Sequence, residues 1–554
     1  MLHLIPQVRK LEMRQGVLPR KAVRLPEHID TRLLKALQKL PVAENGVPVT
    51  ITVTGTAGES YTLDIAADGI SIVAPGTAGA FYGIQTLRQI FAQGQVPCLH
   101  IADAPTLEYR GFYHDVTRGK VPTMETLKDL VDKMAYLKLN SLQLYVEHTF
   151  PFQEYGDIPR EMGCLTPEEL QELDAYCREN FIDFIPSLST FGHLYELLEQ
   201  PQYRHLRICQ DPPMNRWRAR MVHHTIDPRQ EESIGIIKSL VDQYAPCFES
   251  PWFNICCDET FDLEKLAEVG EDPGKLYVDF VKKIIDHVTG KGKKVMMWAD
   301  IALKHPEQIP ELPEDTVFLN WKYSQEPPEA LFSALADRKQ ILCPGTASWS
   351  RLCENPIQET GNICALAKYA KKYNAIGLLN TNWGDWANPC SLELAMYGMS
   401  LGAAVSWDDT TQPGEEFESS VDKLIYCHEG GVQLLRKLSK LCRQARWLDL
   451  CRLYYRKRFA IEDQPARELE EDPAAVAEAC AAFARELEDQ TWEKDEYRQE
   501  LVLAAQCTEL IARLLAGERV DTEPFNKAFS AKWLQKNKPS ELFRIQEMLT
   551  WLNQ

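Results

Sequence analysis

An acidic pair, Asp258-Glu259, directly follows the apolar run Phe253 to Cys257. An isolated Asp-Glu pair is commonly a solvated surface feature, but two carboxylates at the end of a buried strand repel each other and lose water. One of them is therefore expected to hold a proton at neutral pH and to act as a general acid.

Tryptophans recur close to the ends of other apolar segments. A single tryptophan is commonly a core residue, whereas several at equivalent positions favour a binding wall. Indole faces stack on the CH faces of sugars, and a few fixed polar groups bind the hydroxyls. This pattern predicts a carbohydrate site, with charged residues at similar positions as further candidates. Adjacent residues such as Asp258 and Glu259 do not easily place two carboxylates on opposite faces of a sugar ring, so the pair favours a nucleophile supplied by the substrate. The tryptophans are Trp298, Trp321, Trp349 and Trp383, and the charged candidates are Arg118, Glu147, His193 and Asp385.

The segments that carry these residues alternate between strand-like and helix-like patterns. Eight predicted strands with intervening helices over about 300 residues favour a TIM barrel, and a doubly wound sheet is the alternative. In a TIM barrel the carboxyl ends of the strands form the active site, which places the candidates together. The predicted strands are 111–116, 141–146, 183–188, 253–257, 295–299, 317–321, 341–344 and 376–380.

Patterns on either side of the barrel predict two further domains. Alternating apolar residues around Val49, Tyr61 and Ile70, followed by a helical pattern from Ala78 to Phe91, predict an N-terminal α+β domain. Strand signals stop near Gln412, and the remaining segments have helical patterns. We therefore predict an α+β domain at residues 1–107, the barrel at 108–411 and a helical domain at 412–554.

Composition narrows the classes of function. The 554 residues include 61 Lys and Arg against 80 Asp and Glu, and the formal net charge of −19 disfavours nucleic acid as a partner. No apolar run approaches the roughly 20 residues that span a bilayer, so no membrane partner is expected. The 16 cysteines are scattered and the first residues lack a signal-peptide pattern, which predicts reduced thiols and a cytoplasmic location.

No cofactor or metal is predicted. The pair His223-His224 lacks the spaced ligand set of a zinc site. Gly76, Gly79 and Gly83 do not form a dinucleotide-binding motif, and Gly274-Lys275 lacks the spacing of a phosphate-binding loop.

Seven motifs, in order along residues 105 to 390, resemble those of glycoside hydrolase family 20, the β-N-acetylhexosaminidases. Each motif is weak alone, but the ordered set is specific. The region before them also resembles the companion domain of that family, so the resemblance covers most of the chain except the helical tail. The motifs are RGFYHDVTR (110–118), KLNSLQLYVEH (138–148), FIPSLSTFGH (184–193), FNICCDET (253–260), MMWAD (296–300), LNW (319–321) and NWGD (382–385).

The resemblance implies a retaining mechanism assisted by the substrate. Glu259 would protonate the glycosidic oxygen and then activate water. Asp258 would orient the 2-acetamido group, whose carbonyl oxygen attacks C1 to give an oxazoline.

The resemblance also implies roles for the other candidates. Arg118 would bind hydroxyls of the non-reducing sugar, which makes the enzyme exo-acting, with Asp385 as its acidic partner. His193 and Glu147 would support the acid. Trp298, Trp321 and Trp383 would wall the acetamido pocket, with Trp349 where the family commonly has a tyrosine.

This chain departs from the usual residues of the family at several positions, which bears on fine specificity. They are Cys256 and Cys257, where small residues are common, Glu147 for aspartate, Asp385 for glutamate, and Ser187, Ser189 and Phe191 for the acidic and proline positions before Gly192-His193.

Three hypotheses follow. The main one is an exo-β-N-acetylhexosaminidase that removes terminal GlcNAc or GalNAc. The second is a related enzyme for a non-acetylated or galacto-configured amino sugar, and the third is a sugar-binding protein without catalysis. The sequence leaves open the epimer, the linkage and whether the helical tail packs on the barrel or forms a homodimer interface.

Overall fold

The computed structural model describes residues 2–209, 224–460, 467 and 470–553. The N-terminal region forms a six-stranded sheet in the order β1-β6-β4-β5-β3-β2. Its strands are β1 (Lys10–Val17), β2 (Val23–Arg24), β3 (Val47–Val53), β4 (Tyr61–Ala66), β5 (Gly69–Ala74) and β6 (Pro97–Asp103), with helices Thr31–Leu37 and Thr77–Phe91. The helical pattern predicted from Ala78 to Phe91 matches the helix Thr77–Phe91, whose apolar residues Phe81, Ile84, Leu87 and Phe91 are buried.

Eight parallel strands close into a barrel, which confirms the predicted TIM barrel and excludes the doubly wound sheet. The strands are β7 (Tyr109–Asp115), β8 (Ser141–Val146), β9 (Asp183–Leu188), β10 (Trp252–Asn254), β11 (Lys294–Trp298), β12 (Val317–Trp321), β13 (Gln340–Cys343) and β14 (Gly377–Asn382). The helices around and beside it are Met124–Tyr136, Ile158–Met162, Pro167–Glu179, Tyr195–Leu198, Glu231–Tyr244, Pro273–Gly290, Ala330–Ser333, Pro356–Lys372 and Met396–Trp407.

The helix after β7 shows how the sequence forms these elements. Thr123 caps it, with a side-chain oxygen that accepts the backbone N–H of Thr126, and Glu125 lies in its first turn. Its apolar residues recur at helical spacing and form the buried face that packs inward. The strands, in contrast, bury nearly every residue because one face lines the barrel interior and the other meets the helices.

Strand β10 is shorter than the sequence predicts. It ends at Asn254 rather than Cys257, because Cys256 and Cys257 have φ angles of 56° and 64° in the left-handed region. The Asn254 side chain accepts the backbone N–H of Cys256 at 2.9 Å and so takes the place of a ladder bond. Apolar side chains alone gave no sign of this turn.

The C-terminal region is helical, as predicted. Its helices are Glu415–Val421, Gly431–Gln444, Trp447–Phe459, Pro473–Glu488, Asp495–Leu515, Glu523–Lys536 and Leu542–Leu552. One continuous apolar core runs through sheet, barrel and helices, so the helical tail packs on the barrel. The predicted domain limits at residues 107 and 411 stay a prediction. Within the described ranges, no helix has both the length and the apolar character needed to cross a membrane.

Candidate active site

The turn after β10 presents the acidic pair at the carboxyl end of the barrel. Three of its residues, Cys256, Cys257 and Glu259, adopt left-handed φ angles of 56°, 64° and 48°. Each such residue costs about 1–3 kcal/mol, and such strain persists where surrounding contacts hold it, commonly at functional sites. Asp300 supplies one such contact, since its Oδ2 accepts the backbone N–H of Glu259 at 3.0 Å.

Both carboxylates of the pair face one imidazole. His193 Nε2 lies 3.3 Å from Asp258 Oδ2 and 3.4 Å from Glu259 Oε2. Asp258 is buried, while the Glu259 side chain keeps 21% of its surface exposed. His193 is itself left-handed, with φ 57°, and its backbone N–H donates to His224 Nδ1. The structure therefore brings the three predicted residues into direct contact.

The two neighbouring carboxylates favour the protonated form of the imidazole. Burial alone would lower the pKa of His193, but the Asp258 and Glu259 carboxylates raise it to about 10. Among the residues that the structure describes, these three form a group close enough to hold a metal ion, with ligand atoms within 4.8 Å. A ligating imidazole must lose its proton, so the raised pKa opposes metal binding here. His223 of the predicted His-His pair lies outside the described residues.

Arg118 is the centre of a second charged cluster. Its Nη1 lies 2.8 Å from Asp385 Oδ1, and its Nη2 donates to Tyr145 Oη at 3.3 Å. The guanidinium also lies over the rings of Tyr145 and Trp383, at 4.9 and 5.1 Å from their centres. The predicted contact of Arg118 with Asp385 is therefore present, and its role in sugar binding stays a prediction.

Glu147 belongs to this second cluster. Its Oε1 accepts the Tyr145 hydroxyl at 2.8 Å and lies 3.4 Å from Arg118 Nε. In the described part of the chain its contacts therefore reach Arg118 and Tyr145, and its support of Glu259 stays a prediction.

The four predicted tryptophans all lie at this end of the barrel. Trp298 and Trp383 are 1% and 9% exposed, with ring centres 5.8 Å apart. Trp321 and Trp349 are more exposed, and each lies 5.0 Å from the ring of Tyr323. The four tryptophans therefore belong to clusters of aromatic rings near the acidic pair, and their roles in binding stay a prediction.

Three further residues hold these rings and charges, and none of them was assigned a role from the sequence. Tyr323 accepts the Trp383 indole N–H at 2.7 Å, so it fixes that ring. Tyr145 joins Glu147 to Arg118 and also accepts the Ser189 hydroxyl at 3.0 Å. Asp300 holds Glu259. Tyr323 and Asp300 each lie two residues beyond the end of a strand. This position was the feature of the sequence that could have identified them as site residues.

Asp300 is a third, half-buried carboxyl beside the acidic pair. Burial and the Asp258 carboxylate raise the pKa of Asp300 to about 7. An unfolded aspartate loses its proton near its ordinary value of 3.8, so between these values the folded chain binds the extra proton. The contribution of Asp300 to stability is therefore largest at low pH and is lost as the pH rises through about 7.

Replacement of Asp300 with asparagine is expected to remove this dependence while keeping an acceptor for the Glu259 N–H. The free energy of unfolding of the wild type, relative to Asp300→Asn, should fall by on the order of 1–3 kcal/mol between pH 4 and 8. Urea unfolding at several pH values measures it. Asp315→Asn is the control, since Lys339 lowers the pKa of that exposed carboxyl. A constant difference for Asp300→Asn across this range would contradict the assignment.

Comparisons with known proteins give one family. Residues 107–384 match the catalytic domain of glycosyl hydrolase family 20, and residues 1–104 match domain 2 of the same family. The Beta-hexosaminidase of Akkermansia muciniphila is 29% identical over 281 residues, which cover 46% of this chain and 51% of that protein. The Lacto-N-biosidase of Bifidobacterium bifidum is 23% identical over 389 residues, covering 66% and 32%. The chain thus spans about half or less of the length of these relatives.

Solved structures support the fold. The chitobiase of Flavobacterium johnsoniae aligns over 99% of both chains, with a TM-score of 0.62 and 17% identity. At that identity the likeness concerns the fold alone. The catalytic-domain match covers half of the chain and includes β7 to β14. This chain therefore belongs to glycosyl hydrolase family 20.

Proposed function

We propose that the protein is an exo-acting, retaining β-N-acetylhexosaminidase that removes terminal β-linked GlcNAc or GalNAc from glycans. The observation that carries the proposal is the contact of one buried imidazole with both Asp258 and Glu259. Because both carboxylates contact the same imidazole, they lie side by side, and a sugar ring would not fit between them. Such an arrangement suits an acid and a positioning group rather than an acid and a protein nucleophile.

In the first step, Glu259 donates its proton to the glycosidic oxygen while the acetamido carbonyl oxygen attacks C1. The bond from C1 to the leaving oxygen breaks, the alcohol departs, and a positively charged oxazoline forms. Asp258 accepts the acetamido N–H and stabilises that charge. Its Oδ1 is buried and has no hydrogen-bond partner in the described part of the chain, so it is available to such a donor.

In the second step, the Glu259 carboxylate takes a proton from water as the water oxygen attacks C1. The bond from C1 to the acetamido oxygen breaks, the acetamide is restored, and Glu259 is again protonated. Two displacements at C1 give net retention. The His193 imidazole lies against both side chains, so in its protonated form it offsets the charge of Asp258 and, once the proton of Glu259 has left, the charge of Glu259.

The second cluster supports exo action. Arg118 is 8% exposed and is held from several sides, so it offers fixed donors to hydroxyls at the end of a sugar chain. Burial raises the pKa of Asp385, and Arg118 opposes that shift. Because Arg118 and Asp385 form an ion pair with each other, they can bind sugar hydroxyls without leaving either charge unpaired.

A comparison of substrates tests the proposal. Initial rates on 4-nitrophenyl β-glycosides of GlcNAc, GalNAc, glucosamine, galactosamine and glucose should favour an N-acetyl sugar by about 10³-fold, since the intramolecular nucleophile is lost in the others. Preference for a free amino sugar would support the second hypothesis, an enzyme retuned around Ser189 and Trp349. Tight sugar binding without turnover would identify a binding protein and overturn the proposal.

A further inference from the structure

The loop that follows Arg118 and the loop that follows Asp385 are in direct contact. We call them the arginine loop (residues 118–122) and the aspartate loop (residues 385–390). Gly119 has φ 118°, and a Cβ there would approach the Ala387 carbonyl oxygen to 2.5 Å, so only glycine fits. Lys120 Nζ also donates to the Cys390 carbonyl oxygen at 2.7 Å. The ion pair of Arg118 and Asp385 is therefore backed by contacts between the loops that carry it.

The aspartate loop has a backbone that requires external support. Trp386, Ala387 and Asn388 are consecutive residues with φ angles of 60°, 72° and 48°. Non-glycine residues in this region cost about 1–3 kcal/mol each and persist where neighbouring structure fixes them. A loop with three consecutive residues of this kind therefore needs contacts from outside the loop to keep its conformation.

A helix of the C-terminal region supplies support for the aspartate loop. Trp447 opens the helix Trp447–Phe459, is 1% exposed, and donates its indole N–H to the Trp386 carbonyl oxygen at 2.7 Å. Trp386 is the residue next to Asp385. This single hydrogen bond therefore connects the helical region to the residue beside the sugar-binding carboxylate.

The arginine loop is held by the segment between the last two helices. Lys538 donates its backbone N–H to the Val121 carbonyl oxygen at 2.8 Å, and Glu541 donates to that of Gly119 at 3.3 Å. The Lys538 carbonyl oxygen accepts the indole N–H of Trp533 at 3.0 Å. A second buried tryptophan thus fixes the segment that pairs with the loop of Arg118.

We propose that the C-terminal helices position the Arg118–Asp385 pair for sugar binding, with Trp447 and Trp533 as the positioning residues. The inference rests on the proposed function only in taking this pair as the sugar-binding group. Neither tryptophan contacts the substrate in this account. Each acts through a backbone carbonyl, so loss of its N–H displaces the guanidinium and carboxylate and leaves the Glu259 chemistry in place.

Trp447→Phe and Trp533→Phe test the proposal, because phenylalanine fills much of the ring volume and lacks the donor. Each is expected to raise KM by about 3- to 10-fold, the size of one lost hydrogen bond, with kcat within about 2-fold of the wild type. Trp492→Phe is the matched control. Its indole is buried in the same helical region and donates to Gln490 at 3.1 Å, away from both loops.

A double-mutant cycle separates positioning from general destabilisation. With Asp385→Asn already present, adding Trp447→Phe should raise KM by less than about 2-fold, because the residue through which Trp447 acts is already changed. Fully additive effects on KM would overturn the proposal, as would an unchanged KM in both single variants of an active enzyme.

Hydrogen exchange gives a result that does not depend on activity. Backbone amides of the arginine and aspartate loops should exchange faster in Trp447→Phe and Trp533→Phe than in Trp492→Phe. Equal exchange in all three variants overturns the positioning role even if the chain hydrolyses no hexosaminide. Absence of turnover by the wild type together with faster loop exchange would instead overturn the proposed function alone.

Discussion

Glu259→Gln is expected to lower kcat/KM on an N-acetylhexosaminide by about 10²–10⁴-fold, the usual contribution of a general acid and base. Glutamine has nearly the same shape and retains a carbonyl oxygen toward His193, but it has no proton to give to the glycosidic oxygen. The loss should depend on the leaving group. A good leaving group needs little protonation, so 2,4-dinitrophenyl glycosides should lose less activity in their first step than methylumbelliferyl or disaccharide substrates.

Glu147→Gln is the matched control for this prediction. It changes a buried carboxylate of the same site that contacts Arg118 and Tyr145 rather than Glu259. We expect a higher KM with no dependence on the leaving group. The assignment of Glu259 fails if its glutamine variant keeps activity within a few-fold of the wild type on a disaccharide.

The parts of the fold that the sequence predicted are those set by local periodicity. Strands buried on both faces are short apolar runs, and amphipathic helices between them repeat every 3.6 residues, so β8, β9 and β12 begin and end as expected. A parallel barrel then brings all strand ends together. The location of Asp258, Glu259 and Trp383 in one site followed from topology and needed no knowledge of individual contacts.

Features set by non-local contacts could not be predicted. The left-handed turn at Cys256 and Cys257 depends on the Asn254 side chain and on neighbouring strands, and an apolar pattern carries no trace of it. Glu147 was placed beside the acid by resemblance, whereas its bond to Tyr145 turns it toward Arg118. Side-chain direction at a strand end is decided by partners that are distant in sequence.

The contact of the helical tail with the site is the feature that could least be predicted from the sequence. Trp447 lies 61 residues from Trp386 in the chain, and nothing in either local sequence indicates their hydrogen bond. Asp300 ends the motif MMWAD (296–300), but neither the motif nor its position after a strand indicated its role. Its raised pKa comes from burial and from Asp258, which are properties of the assembled site.

Asp258→Asn is expected to lower kcat on N-acetyl substrates by about 10²–10³-fold, the cost of losing one preorganised electrostatic contact in a transition state. The amide is nearly isosteric, but it carries no charge to stabilise the oxazoline, and its NH₂ group can point at the acetamido N–H. The substitution affects the chemical step rather than substrate binding, so KM should change much less than kcat. Steady-state and single-turnover rates on the preferred N-acetyl glycoside measure both.

Substrates with fluorinated acetamido groups test whether the acetamido oxygen takes part in the reaction. From N-acetyl to N-trifluoroacetyl the carbonyl oxygen becomes a weaker nucleophile, so the wild-type rate should fall steeply along the series. In Asp385→Asn, which alters the partner of Arg118, the same slope should remain with a higher KM. In Asp258→Asn the rate of every substrate that needs its acetamido group should be low. A wild-type rate that is insensitive to fluorination would show that the acetamido oxygen does not attack C1, and the role given to Asp258 would be wrong.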